Sequence, residues 1–119
     1  MTSILPAEST KPYVELQVAI VGGGACGLVA ALAARDAGAQ VVVFERDAMP
    51  SGSTALSSGM VPAAGTTMQR ARGVVDSPEL MAADIQRKAK DRNDRAIVDA
   101  VCAASGPTID WLAASHGIP

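Results

Sequence analysis

Gly22, Gly24 and Gly27 stand at Gly-x-Gly-x-x-Gly spacing within Val18-Ala19-Ile20-Val21-Gly22-Gly23-Gly24-Ala25-Cys26-Gly27, and Glu45 follows eighteen positions after Gly27. Glycines so spaced can seat a diphosphate. Gly22 lets the chain turn sharply off a strand, Gly24 has no Cβ to hold the backbone away from a pyrophosphate, and Gly27 lets a helix lie close to the sheet. The amides of Ala25, Cys26 and Gly27 open that helix without intrahelical partners. With the positive end of the helix dipole they favour an anion. A carboxylate at Glu45 can accept two hydrogen bonds from a ribose diol, and its charge disfavours a 2′-phosphate there.

This chemistry needs elements to hold it, and the flanking sequence supplies them. Leu16 to Val21 is apolar after Leu16-Gln17 and reads as a strand covered on both faces of a parallel sheet. Cys26 to Ala37 places Leu28, Ala31, Leu32 and Arg35 at helical spacing, with Gly38 as the stop. Gln40 to Phe44 returns as a β-branched run. The connection predicts a parallel, right-handed βαβ unit. A chain with eleven glycines can produce the motif by chance. The alternative is then a ligand-free turn followed by a surface Glu, and the strand, helix and second strand in the right places weigh against it.

Ser51 to Thr66 is a long run of small and hydroxyl residues, too apolar for a solvated linker and too glycine-rich for a regular helix. Its amides and hydroxyls can surround the phosphates and polar edge of a larger dinucleotide without bulk. The competing reading, a flexible linker, sits poorly with the embedded Leu56, Met60 and Val61.

The combination of Val18 to Gly27, Phe44-Glu45-Arg46 and Ser51 to Thr66 resembles the FAD-binding half of the fumarate reductase and succinate dehydrogenase flavoprotein family, which includes ketosteroid dehydrogenases. That resemblance implies FAD as cofactor and adds Arg46, Ser53, Thr54, Ser58 and Gly59 to Gly22, Gly24, Ala25, Cys26, Gly27 and Glu45 as cofactor-binding residues. In the family's soluble fumarate reductases the loop carries Asn where this chain has Ser53, and Gly where it has Met60. Gly52, Thr54, Leu56, Ser58 and Gly59 keep the pattern. Respiratory members attach flavin through a histidine whose position here is Gly52, so the resemblance implies non-covalent FAD. It also implies hydride transfer to or from a C–C or C=C bond.

Fold class follows as α/β: a Rossmann-like βαβ dinucleotide-binding unit followed by helices, with an incomplete sheet. The expected organisation is a loosely ordered arm over 1–15, the FAD-binding unit over 16–76, and a helical segment over 77–119. Gly73-Val74-Val75 reads as a short strand or extended loop. Ser77-Pro78-Glu79 opens a helix with Met81, Ile85 and Ala89 on one face. Asn93 or Asp94 caps another, with Ile97, Ala100, Val101 and Ala104 as its buried stripe and a restart or kink at Ser105-Gly106-Pro107. Asp110-Trp111-Leu112 keeps the family's style. His116 is the only histidine, and before Gly117 it suits a helix C-terminus better than a catalytic role.

Composition limits the alternatives. The chain has 119 residues, is 49% hydrophobic and 18% charged, and has a net charge of -2, which gives nucleic acid no basic surface. No run of eighteen apolar residues suggests a membrane span, and the first ten residues lack a secretory pattern. Cys26 and Cys102 suggest neither a disulfide framework nor a metal site, and a cytoplasmic setting is the expectation. Cys26 reads as a small residue beside a phosphate rather than a redox thiol. No catalytic residue is assigned. The expected function is the FAD-binding N-terminal portion of a flavin-dependent oxidoreductase, inactive alone, with a small-molecule substrate only in the full-length enzyme and the electron partner open. An NAD-dependent dehydrogenase and a non-enzymatic dinucleotide-binding module are the alternatives.

Overall fold

Val18–Val21 and Val41–Phe44 form two parallel strands, β1 and β2, paired Val18↔Val41 through Val21↔Phe44, in a computed structural model that describes residues 15–118. The arm expected over 1–15 lies outside the described residues except for Glu15. By packing, the chain divides into two compact units, one ending at Met60 and the other beginning at Val61.

In the first unit, helix α1 (Ala25–Asp36) joins β1 to β2 and packs on both. Its alanines keep it thin, and Gly38, at φ 85°, ends it in the left-handed region that glycine enters without steric cost. The strand expected to be covered on both faces alternates instead. Val18 and Ile20 are half-buried, whereas Val21 is 89% exposed. Within this unit α1 is the helix that packs on the two strands, and burial has period two in β1, whereas Val41, Val42 and Val43 of β2 are all half-buried. The Ser/Gly stretch, expected to lack regular helix, contains a single turn, α2 (Ser53–Leu56), entered through Gly52 at φ 86°.

The second unit holds α3 (Thr67–Ala71), α4 (Pro78–Ala89) and α5 (Arg95–His116). The short α3 starts on a reciprocal cap: the Gln69 amide donates to Thr66 Oγ1 (3.1 Å) and the Thr66 amide to Gln69 Oε1 (2.8 Å). Residues 73–75 are loop. Helix α4 opens as its sequence dictates, with Ser77 Oγ accepting from the Leu80 amide at 3.2 Å and Pro78 in the first turn. Asp94 caps α5 by accepting from Ala96 (2.9 Å) and Ile97 (3.2 Å).

Two sequence expectations for α5, the restart at Pro107 and the buried stripe, are corrected. The helix runs unbroken through Pro107, although proline removes a helical donor and crowds the preceding turn. Contacts on both sides of Pro107 hold it. The Ala64 amide donates to Ser105 Oγ (3.2 Å), Gly106 lies against the Ala64 carbonyl, and the Thr67 amide donates to both Asp110 carboxylate oxygens (2.9 and 3.0 Å). The buried stripe is also displaced by one position. Val98, Cys102, Gly106 and Leu112 are buried, whereas Ile97 and Val101 are 64% and 56% exposed. Small residues decide the face: Cys102 packs with Ala82 and Val98, and Gly106 lets the chain at Ala64 come close. Among the described residues no helix is long and apolar enough to cross a membrane.

Gln86 of α4 is 5% exposed, and neither side-chain polar atom has a protein partner among the described residues. A buried amide left unpaired costs about 1–3 kcal/mol. Methionine fills similar space without polar atoms. Gln86→Met is therefore expected to stabilise the second unit by about 1 kcal/mol, raising its melting midpoint by roughly 4–8 °C. A lower midpoint by calorimetry would show that the amide has a partner that matters.

Candidate functional site

The turn between β1 and α1 is built from backbone. Gly22, at φ 102°, donates its amide to the Phe44 carbonyl at 2.7 Å, closing the ladder as the chain leaves the sheet. A Cβ on Gly27 would overlap the Gly22 carbonyl oxygen, so the close helix–strand approach expected of this glycine is present. Two side chains from later in the sequence reach the turn. The Gly23 amide donates to Glu45 Oε2 (2.7 Å), and the Ala25 amide donates to Thr54 Oγ1 (3.2 Å). The amides of Gly24, Cys26 and Gly27 make no hydrogen bond among the described residues. Three donors at the positive end of a twelve-residue helix are thus available to an anion.

Glu45 follows β2 directly, and its carboxylate is held by the protein at both oxygens. Oε2 accepts from Gly23, and Oε1 accepts from the Asp47 amide at 3.1 Å. The Asp47 and Gly23 amides hold its carboxyl below the usual carboxylate range, so it is charged at neutral pH. A carboxylate offers about four lone-pair sites. Each oxygen therefore keeps capacity for a further donor such as a ribose hydroxyl.

Arg46 forks onto its neighbour, with Nε to Asp47 Oδ1 at 3.0 Å and Nη2 to Oδ2 at 3.2 Å. Asp47 Oδ2 also accepts from the Ser51 hydroxyl at 2.5 Å. The Arg46 guanidinium and the Ser51 hydroxyl together hold the Asp47 carboxyl low. Of the remaining expected residues, Ser53 is the first residue of α2. Ser58 and Gly59 lie just beyond that turn, where the Gly59 amide donates to Ser57 Oγ at 3.2 Å. No described hydrogen bond joins Ser58 or Gly59 to the glycine turn. The Cys26 thiol is free and exposed.

The structure thus brings Gly22, Gly24, Ala25, Cys26, Gly27, Glu45 and Thr54 together and turns Arg46 onto Asp47. Sequence reasoning missed Gly23, Asp47 and Ser51. For Asp47 the available signal was a short acid two residues after Glu45 and four before a serine, spacing that favours local side-chain capture. Nothing in the sequence singled out the Gly23 amide.

The family model of the FAD binding domain matches residues 17–119. A fumarate reductase (cytochrome) of Shewanella frigidimarina is 35% identical over 108 residues, covering 91% of this chain and 19% of that protein. A 3-oxosteroid 1-dehydrogenase of Mycobacterium tuberculosis is 45% identical over 65 residues, covering 55% of this chain and 12% of its own length. The open conformation of a flavocytochrome c3 fumarate reductase superposes with a TM-score of 0.77 at 33% identity, over 89% of this chain and 19% of that one. The chain spans about a fifth of the length of the fumarate reductases it matches.

Proposed function

The chain belongs to the FAD-binding domain family, with FAD as its cofactor, and from that membership we propose how its own residues hold the dinucleotide and what the holder serves. The βαβ unit acts as a Rossmann-like cradle. Gly22 and Gly27 shape the turn, the amides of Gly24, Cys26 and Gly27 take the diphosphate beside Ala25, and Thr54, whose oxygen already accepts from Ala25, offers its own O–H to a phosphate oxygen. Glu45 takes the ribose diol. Arg46 acts through Asp47, and Ser53, Ser58 and Gly59 would offer further hydroxyl and amide contacts to the cofactor. The observation that carries this reading is the set of three unengaged amides beside a carboxylate that two other amides hold in place.

Bound FAD supplies a ring that accepts or donates hydride. By likeness to the fumarate reductase and 3-oxosteroid dehydrogenase relatives, the flavin serves an oxidoreductase acting at a C–C or C=C bond of a small molecule. This chain's part in that enzyme is to bind and orient the cofactor. Glycine at position 52 supports non-covalent attachment, and two free thiols support a reducing, cytoplasmic setting.

Titrating the full chain with FAD and following flavin fluorescence is expected to give saturable one-to-one binding, with ADP competing for the site. Denaturation should then release all the flavin. No saturation, or no competition by ADP, sinks the proposed site. Flavin retained by denatured protein sinks non-covalent attachment.

A further inference from the structure

The contacts around the glycine turn form a closed circuit. From the Gly23 amide it runs to Glu45 Oε2 (2.7 Å), and from Glu45 Oε1 to the Asp47 amide (3.1 Å). It continues from Asp47 Oδ2 to the Ser51 hydroxyl (2.5 Å), along the chain to Thr54, and from Thr54 Oγ1 back to the Ala25 amide (3.2 Å). Among the described residues, the side-chain link that spans the loop between Glu45 and Thr54 is that from Asp47 to Ser51. Gly52 then enters α2 at φ 86°, a conformation open to glycine.

We propose that Asp47, acting through Ser51, is a positioning residue for the nucleotide, fixing Thr54 on the diphosphate side from the strand end that carries the ribose-binding Glu45. The inference rests on the reading of Glu45 and Thr54 given under Proposed function. Asp47 itself touches no ligand. Its amide aims one oxygen of Glu45, and its carboxylate fixes where the loop delivers Thr54. Arg46 holds that carboxylate from the other side with a two-point fork. Removing the Asp47 side chain leaves the Gly23 and Asp47 amides on the Glu45 carboxylate but releases Ser51, so Thr54 remains present beside the diphosphate site and loses its aim.

The test compares ADP with 2′,3′-dideoxy-ADP and with adenosine by calorimetric titration of the full chain and its variants. In the unaltered protein, loss of the ribose hydroxyls is expected to weaken binding about tenfold or more. Asp47→Ala is expected to weaken ADP and dideoxy-ADP alike, roughly five- to twentyfold, so the ribose penalty is kept, and to weaken adenosine, which lacks the diphosphate, much less. Ser51→Ala should act in the same direction without adding to Asp47→Ala. Asp47→Asn, which retains an acceptor for Ser51, should recover part of the loss. Equal weakening of ADP and adenosine, no weakening of either, or a shrunken ribose penalty overturns the positioning role while leaving the cofactor reading intact. If the unaltered chain binds ADP with no ribose penalty, the Glu45 reading fails and this inference falls with it. Should Asp47→Ala not fold, the exposed Ser51 decides the same question through Ser51→Ala.

Discussion

Gly27→Ala is expected to unfold the first unit or leave it barely stable. On helix propensity alone the change would help by about 1 kcal/mol, since alanine is the better helix former. Packing reverses that sign. The new methyl would overlap the Gly22 carbonyl oxygen and lie 3.3 Å from Ile20 Cγ2. Neither neighbour can yield cheaply, because Gly22 is fixed at φ 102° with its amide bonded to Phe44 at 2.7 Å. The helix must move off the strand instead. Overpacking in interiors costs about 1–3 kcal/mol when side chains can shift, and a backbone obstruction belongs at or above the top of that range. A loss of roughly 3 kcal/mol corresponds to a midpoint lower by about 12 °C or more in a domain of this size. Gly24→Ala is the control, as its methyl would meet Thr54 Oγ1 at an ordinary 3.5 Å. Circular dichroism melts compare the two, and a Gly27→Ala midpoint within about 2 °C of the parent would show that the helix does not press on β1 as described.

Why this glycine was legible in advance, while much of the rest was not, follows from the range of the forces involved. Gly22, Gly27 and Glu45 are specified locally: a turn needs a missing Cβ, a close approach needs another, and the carboxylate must end the next strand. The order β1, α1, β2 was readable for the same reason. Burial was not, because it depends on what covers each face. The alternation in β1 and the 64% exposure of Ile97 were set by which neighbour packs where. On α5 the buried face follows Cys102 and Gly106, small residues that permit close contact, rather than the larger Ile97 and Val101. Helix continuity through Pro107 was unreadable because the restraints come from Ala64 and Thr67, some forty residues earlier. The cap that starts α3 was in plain sight as Thr66-x-x-Gln69 but gave too short a helix for periodicity to reveal.

In the site, the hydrogen-bond partners were the illegible layer. A sequence identifies Glu45 as an acceptor without saying that Gly23 and Asp47 already donate to it, or that Arg46 is engaged by Asp47. These second contacts convert a flexible side chain into an aimed one. They also give Thr54 a fixed place beside α1, through a loop whose composition alone suggested only small polar residues.

Glu45→Gln is expected to lower affinity for FAD and ADP by about ten- to a hundredfold while the fold persists. A glutamine has one carbonyl oxygen for the Gly23 and Asp47 amides. Whichever it serves, its NH2 faces the other donor. It also loses the charge that strengthens hydrogen bonds from the ribose hydroxyls. Discrimination against a 2′-phosphorylated nucleotide should narrow as well, because the repulsion from the carboxylate is gone. The pH dependence has a definite sign. The folded-state pKa of Glu45 is depressed below its ordinary 4.5 by the Asp47 and Gly23 amides, so its contribution is complete above 4.5 and disappears as pH falls through the lower folded value. Affinity in the parent should therefore stay level from neutral pH down to the ordinary carboxylate range and approach that of Glu45→Gln only below it. Titrations of both proteins across that range settle the matter: equal affinity at neutral pH, or a parent that weakens well above the carboxylate range, would remove Glu45 from the ribose site.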